Sequence, residues 1–239
     1  MSKVTPYKNS KSKKEQVITM FDNIAESYDF LNHSLSLGMD KIWRKKAIKK
    51  LSNNPKNILD IATGTGDFAI SAAKYTQAQI TGIDISKKML NIGVKKIQQK
   101  KLNTRITLQN EDSENLPFND NSFDAITSGF GVRNFEDLSK GLSEMYRVLN
   151  TNGMIAILEP STPKHFPLKQ LYNLYFHHIL PTIGYWISKD KNAYKYLPES
   201  VDAFPAGDNF ISKLKKSGFK ECKYFSLTFG IVSLYIAIK

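Results

Sequence analysis

Leu59-Asp60-Ile61-Ala62-Thr63-Gly64-Thr65-Gly66-Asp67 decides how this chain is read. The apolar run Ile58 to Ala62 meets two glycines one residue apart, and Phe68-Ala69-Ile70-Ser71-Ala72-Ala73 follows with helical spacing. That order predicts a strand, a tight turn and a helix start. Gly64 and Gly66 can adopt the left-handed backbone of such a turn and let a ligand approach closely. The unpaired N–H groups of the helix start favour a negative or strongly polar group. The turn reads as a nucleotide-cofactor loop, although a plain βα turn with glycines looks the same.

Asp84 strengthens the reading. Gln79 to Ile83 is a second apolar-rich strand, and it closes on this acid. An acidic residue about 20 positions past a glycine turn can accept hydrogen bonds from a ribose diol. Further strands are expected at 105–109, 123–128 and from Gly153 to Leu158, with helices at 67–75, 87–100 and 136–149. The alternation predicts an α/β, Rossmann-like fold with a mostly parallel doubly wound sheet. Helix 208–216 then leads to Lys220–Leu227 and Ile231–Ile238, a C-terminal antiparallel hairpin that closes the sheet.

The remaining segments frame this core. Residues 1–14 are polar and Lys-rich and are expected to be a mobile tail. Residues 15–239 read as a single domain. Within it, 15–56 form a cap of two helices, the second carrying Leu35, Leu37, Trp43, Ala47, Ile48 and Leu51. Residues 161–200 are an aromatic insertion, expected to be a lid over the carboxyl edge of the strands. Ligands of open α/β sheets bind at that edge.

Composition narrows the function. The single Cys222 excludes an internal disulfide framework and a Cys-rich zinc site, so a reducing cytoplasm is the expected compartment. No N-terminal apolar leader and no run of ~18 apolar residues is present. The net charge is +12, and nearly all the positive charge is Lys; Arg44, Arg105, Arg133 and Arg147 are the only arginines. Arg is the better reader of phosphates and base edges, so a nucleic-acid partner is not expected. Weak attraction to acidic lipid is. His33, His165, His177 and His178 lack ligand-like spacing, and no metal is expected.

Two cofactors suit the plan, a nicotinamide dinucleotide and S-adenosylmethionine. Tyr185 and Lys189 have the Tyr-x-x-x-Lys spacing of a dehydrogenase dyad, but Pro181 and Gly184 weaken the helix it needs. Asp67, directly after Gly66, would repel a pyrophosphate. An ammonium and a sulfonium welcome acids, so Asp60 and Asp67 favour S-adenosylmethionine on charge. A third acidic turn, Asn110-Glu111-Asp112-Ser113-Glu114, follows the third strand and could meet an adenine amine.

Leu59–Asp67, Gly82-Ile83-Asp84-Ile85-Ser86 and Leu116-Pro117-Phe118 resemble class I S-adenosylmethionine-dependent methyltransferases. Longer strings are similar to one family, the ubiquinone/menaquinone biosynthesis C-methyltransferases. They include Phe21-Asp22-Asn23-Ile24-Ala25-Glu26-Ser27-Tyr28-Asp29, Phe130-Gly131-Val132-Arg133-Asn134 and Tyr194-Lys195-Tyr196-Leu197-Pro198-Glu199-Ser200. Glu159-Pro160 departs from the family's usual Glu-Phe. The resemblance implies methylation of a prenylated quinol ring carbon, with a naphthoquinol or a benzoquinol as acceptor. It also implies that Thr65, Asp84, Asp112 and Ser113 contact the cofactor while Gly64 and Gly66 shape the turn.

Carbon methylation needs an electron-rich ring. Arg133 is expected to stabilise the ring's oxyanion, with Tyr28, Asn134 and Asp112 relaying a proton or positioning the ring. The insertion and the second cap helix are expected to cover the isoprenoid tail, with Lys45, Lys46, Lys49 and Lys50 at the inner membrane surface. A homodimer is consistent with the sequence, which carries no feature that decides it. A nucleic-acid amino-methylating enzyme would want Asn/Asp-Pro-Pro-aromatic after the fourth strand, where this chain has Ser128-Gly129-Phe130-Gly131. A cofactor-binding scaffold without turnover is the non-enzymatic rival.

Overall fold

A computed structural model of the protein describes residues 4–176 and 190–239. The Tyr185–Lys189 pair, His177 and His178 lie outside the described residues. The chain begins with α1 (Lys13–Leu35), fixed at its start by a reciprocal cap. The Ser12 hydroxyl accepts from the Glu15 N–H, and the Glu15 carboxylate accepts from the Ser12 N–H, satisfying two otherwise free donors. Residues 4–12, expected as a tail, touch the body. Pro6 is buried, and the Tyr7 hydroxyl donates to Asp190 at 2.6 Å.

The break between the cap helices falls later than the apolar spacing suggests. Helix α1 ends at Leu35, and Leu37 and Gly38 turn through left-handed backbone before α2 (Met39–Lys49) begins. Leu37 therefore points outward instead of joining Trp43, Ala47 and Ile48 in the core.

The core alternates as the pattern dictates. In order it runs β1 (Asn57–Ile61), α3 (Asp67–Tyr75), β2 (Gln79–Asp84), α4 (Lys87–Gln99), β3 (Ile106–Asn110), β4 (Phe123–Gly129), α5 (Leu138–Val148) and β5 (Leu149–Pro160). Strand β5 begins earlier than expected, because pairing with β4 carries across a register shift between Phe123 and Ala125. Next come α6 (Leu168–Leu174), α7 (Lys191–Ala203), α8 (Asp208–Lys216), β6 (Lys220–Leu227) and β7 (Val232–Ile238).

The strands form one seven-stranded sheet in the order β3-β2-β1-β4-β5-β7-β6. The first five are parallel, while β7 runs antiparallel between β5 and β6. Successive residues of the central strands face opposite layers, so both must be apolar. Ile58 packs with Trp43, Phe68 and Ala72 on one side. Leu59 packs with Leu142, Met145 and Phe210 on the other. A third cluster joins Met20, Ile24 and Leu31 of α1 to Tyr172, Tyr194 and Tyr196, and it roofs the sheet. The strand order reverses between β1 and β4, so a crevice opens at their carboxyl ends beneath that roof. No helix among the described residues is long and apolar enough to cross a membrane.

Candidate active site

The glycine turn at the end of β1 forms as its sequence requires. Gly64 and Gly66 both have positive φ, at 57° and 81°. A side chain on Gly64 would begin 3.3 Å from the Met89 methyl. Asp84 fastens the turn from β2. Its Oδ2 accepts from the Gly64 N–H and its Oδ1 from the Ser86 N–H, each at 2.8 Å. Burial pushes the Asp84 carboxyl up to about 6, against the pull of these backbone donors. Each carboxylate oxygen can accept more than one hydrogen bond, and Asp84 also lines a cleft.

Three other residues of the motif face elsewhere. Asp60 is fully buried, with its oxygens taken by the hydroxyls of Thr63 at 2.5 Å and Thr127 at 2.6 Å. Burial pushes its carboxyl up to about 6 despite those donors. Asp67 does not meet the cleft; Lys96 lies 2.6 Å from it, and Arg44 and His33 each 3.4 Å. Burial raises its carboxyl, but Arg44 and Lys96 outweigh that and hold it below the usual range. The Thr65 hydroxyl donates to Asp29 of α1 at 2.5 Å. Asp60, Thr65, Gly66 and Asp67 thus hold the turn and tie it to the cap, and none is in the cleft wall. His33, Asp40 and Asp67 bring ligand-type atoms within 4.8 Å of one another. The Arg44 guanidinium already contacts both carboxylates there.

The cleft joins Gly64, Asp84, Asp112 and Ser113, with Tyr28 and Asn134 at its far side. It is narrow, about 60 Å³. Lys14 of α1 narrows it, with its ammonium 2.7 Å from Asp112 and 3.4 Å from Glu114. A nucleoside is larger, so one entering here would have to displace Lys14. The donor set fits a nucleoside with a cationic tail: a buried carboxylate with spare lone pairs, a second acid at a strand end, and backbone bared by glycines. A Cβ on Gly131, another wall residue, would lie 2.4 Å from that of Ala62.

A larger cavity of about 500 Å³ adjoins the cleft, and Phe21, Tyr28, Phe130 and Asn134 belong to both walls. It runs between α1, α2, α6 and α7, and its wall is overwhelmingly apolar. Arg133 sits in that wall, but its charge is not free. Its Nη1 bonds Glu159 at 3.0 Å and also the Phe130 carbonyl, and its Nε donates to Ser200 at 3.3 Å. Nη2 has no partner among the described residues. Glu159 is fully buried, and burial raises its carboxyl against the pull of Arg133. Asn134 accepts from the Tyr196 hydroxyl at 3.1 Å. Burial pushes Tyr28 up to about 12, although Arg133 and Arg44 pull it down. At neutral pH Tyr28 is therefore a hydrogen-bond donor and not a base.

Two wall residues escape sequence inspection. The Tyr172 hydroxyl and the Asn32 amide nitrogen are buried in this wall without a hydrogen-bond partner among the described residues. Such groups cost free energy unless something satisfies them. Neither lies in a motif; only burial identifies them.

The profile of the ubiE/COQ5 methyltransferase family matches residues 9–239. The chain belongs to the ubiE/COQ5 methyltransferase family. A Bacteroides fragilis protein named demethylmenaquinone methyltransferase is 51% identical to this methyltransferase, covering 99% of this chain and 98% of its own. A Geotalea daltonii protein named ubiquinone/menaquinone biosynthesis C-methyltransferase is 47% identical, covering 95% and 97%. Among solved structures, a S-adenosyl-L-methionine-dependent methyltransferase of Methanococcus maripaludis, titled putative, superposes with a TM-score of 0.62 at 24% identity, covering 98% and 96%. The fold is that of the class I methyltransferases, and S-adenosylmethionine is the cofactor.

If Asp84 meets the cofactor, the pH dependence of binding follows from it. A ribose diol donating to the ionised carboxylate would lower its pKa in the complex. Affinity is then fullest above pH 6 and falls as pH drops through about 6, by up to about tenfold per unit. Calorimetric titration of S-adenosylhomocysteine between pH 5 and 8 measures this. A flat profile would show that Asp84 does not meet the ligand.

Proposed function

We propose that the enzyme methylates a ring carbon of a prenylated naphthoquinol, converting demethylmenaquinol to menaquinol. The observation that supports this most is the pairing of cavities, an acid-lined cleft that shares wall residues with an apolar cavity of about 500 Å³. The name carried by the Bacteroides fragilis relative favours the naphthoquinol over a benzoquinol.

The bound cofactor supplies an electrophilic methyl group on a sulfonium. The protein must make the acceptor carbon nucleophilic and hold it in line. A quinol gains nucleophilicity when a phenolic proton leaves, and its pKa lies near that of Tyr, ~10. An oxyanion in an apolar cavity needs a partner. Arg133 is the one cation in the wall among the described residues, and its Nη2 hydrogens supply that partner. Lowering the phenol by ~3 units corresponds to about 4 kcal/mol of differential stabilisation. Glu159 holds the guanidinium in place from behind. Asn32, Tyr172 and the Tyr28 hydroxyl are donors for the ring oxygens, and fixing the ring beside the methyl supplies the entropic advantage. The tail extends along the apolar remainder of the cavity toward a membrane that retains it.

Incubation with labelled cofactor and demethylmenaquinol or the demethylated benzoquinol, both reduced, followed by mass identification of the product, tests this. Labelled menaquinol is expected; labelling of the benzoquinol alone, or of neither, defeats the assignment. Tyr172→Phe supplies a finer check. Its hydroxyl has no partner among the described residues, so the melting temperature should not fall. The quinol KM should rise roughly fivefold, since one hydrogen bond is worth about 1 kcal/mol.

A further inference from the structure

The cavity's mouth carries apolar side chains that a protein surface normally hides. Leu37 is 89% exposed and Phe229 76%, and both belong to the cavity wall. Both hold left-handed backbone, with φ of 50° and 57°. Bulky residues rarely adopt that region, and its occupation clusters where function imposes it. The two turns are braced together, since the Trp43 indole N–H beside the first donates to Thr228 beside the second at 2.8 Å. Helix α6 extends the surface. Its Leu168 and Leu171 reach the wall, while Leu174, one turn on, is 55% exposed. Phe166 just before the helix is 82% exposed. Ile42, one turn past Met39 of the wall, is exposed on α2. Exposed apolar groups gathered at one opening mark an interaction surface.

Charge identifies the partner. Lys41 adjoins Ile42, Lys164 lies two residues before Phe166, and Lys169 follows Leu168; all three are exposed. None is in an ion pair with a carboxylate among the described residues. Apolar side chains that enter a headgroup layer, flanked by unpaired lysines, match an anionic lipid surface. We propose that this mouth docks on an anionic lipid bilayer, with Ile42, Phe166 and Leu174 entering the headgroup region and Lys41, Lys164 and Lys169 meeting lipid phosphates. The proposal rests on the functional assignment in one respect: the docked mouth receives a membrane-held isoprenoid acceptor. It also replaces the expected contact through Lys45, Lys46, Lys49 and Lys50. The Lys45 and Lys50 ammonium groups lie over the rings of Tyr75 and Phe225, away from the mouth.

Co-sedimentation of the full chain with phosphatidylglycerol/phosphatidylethanolamine vesicles at low salt tests the surface, with phosphatidylcholine vesicles as the neutral control. Ile42, Phe166 and Leu174 are outside the cavity wall, so their joint change to Gln leaves the site intact. The unmodified protein is expected to sediment with the anionic vesicles. The triple Gln variant should bind at least tenfold more weakly, and Lys41→Gln/Lys164→Gln/Lys169→Gln should lose the salt-sensitive part. Turnover of a water-soluble, tail-truncated quinol should be unchanged in both. The proposal is overturned if the unmodified protein stays in the supernatant or if the triple variant binds equally well. It is also overturned if sedimentation velocity shows a dimer that this variant dissociates, which would assign the mouth to a second copy. Vesicle binding without methylation of any quinol would uphold docking and reject the functional assignment, whereas methylation of the soluble quinol without vesicle binding would do the reverse.

Discussion

Arg133→Met is expected to lower turnover at least ~100-fold with saturating cofactor, the cost of removing a charge that stabilises a developing oxyanion. The same change should destabilise the protein by about 3–5 kcal/mol, because it strands Glu159 in a fully buried position without its cation. The two losses have different origins and can be separated. In Arg133→Met/Glu159→Gln no buried charge remains, so most of the melting temperature should return. Turnover should stay low, because no cation then faces the ring oxygen. Thermal melts and single-turnover rates on both variants decide the matter. A double variant that regains both stability and turnover would reduce Arg133 to a structural ion pair.

Asp84→Asn should weaken cofactor binding by about 100-fold or more. Each hydrogen bond from a ligand hydroxyl to the carboxylate is worth about 1.5–3 kcal/mol, and a diol makes two. Stability should change little at pH 8, because two effects oppose each other. The carboxyl is raised from 3.8 to about 6, so its burial costs about 3 kcal/mol once the pH exceeds 6. Asn removes that cost, but it turns an amide N–H toward one of the two backbone donors now satisfied. The fall in affinity below pH 6 should vanish in the variant. Calorimetry across the pH range reads both effects, and an unchanged affinity would place the nucleoside elsewhere.

The fold was largely legible because its determinants are local. Parallel strands buried on both faces appear as apolar runs, and α1, α4, α5 and α7 start at the side-chain caps Ser12, Ser86, Asp137 and Asp190. The hairpin at 220–227 and 232–238 lies within a residue of where the alternation puts it. The break at Leu37 was not legible, since its apolar side chain fits the helical stripe and only the backbone turn exposes it. The site divides along the same line. Gly64, Asp84, Asp112 and Ser113 share one cleft, as their positions at strand ends suggest. Asp60, Thr65 and Asp67 belong to the same motif yet face away, because Thr127, Asp29, Lys96 and Arg44 reach them from other elements. Glu159 bracing Arg133, and the orphaned groups of Asn32 and Tyr172, have no spacing that announces them. Their signal is burial, which exists only once the chain has folded.

Phe21 and Tyr28 of the first helix stand like a party wall between two rooms. A donor admitted on one side would push Lys14 of that helix out of the way, and an acceptor would press on the helix from the other. If occupancy of one room shifts this helix, its neighbour feels it, and linkage requires the effect to be equally strong in both directions.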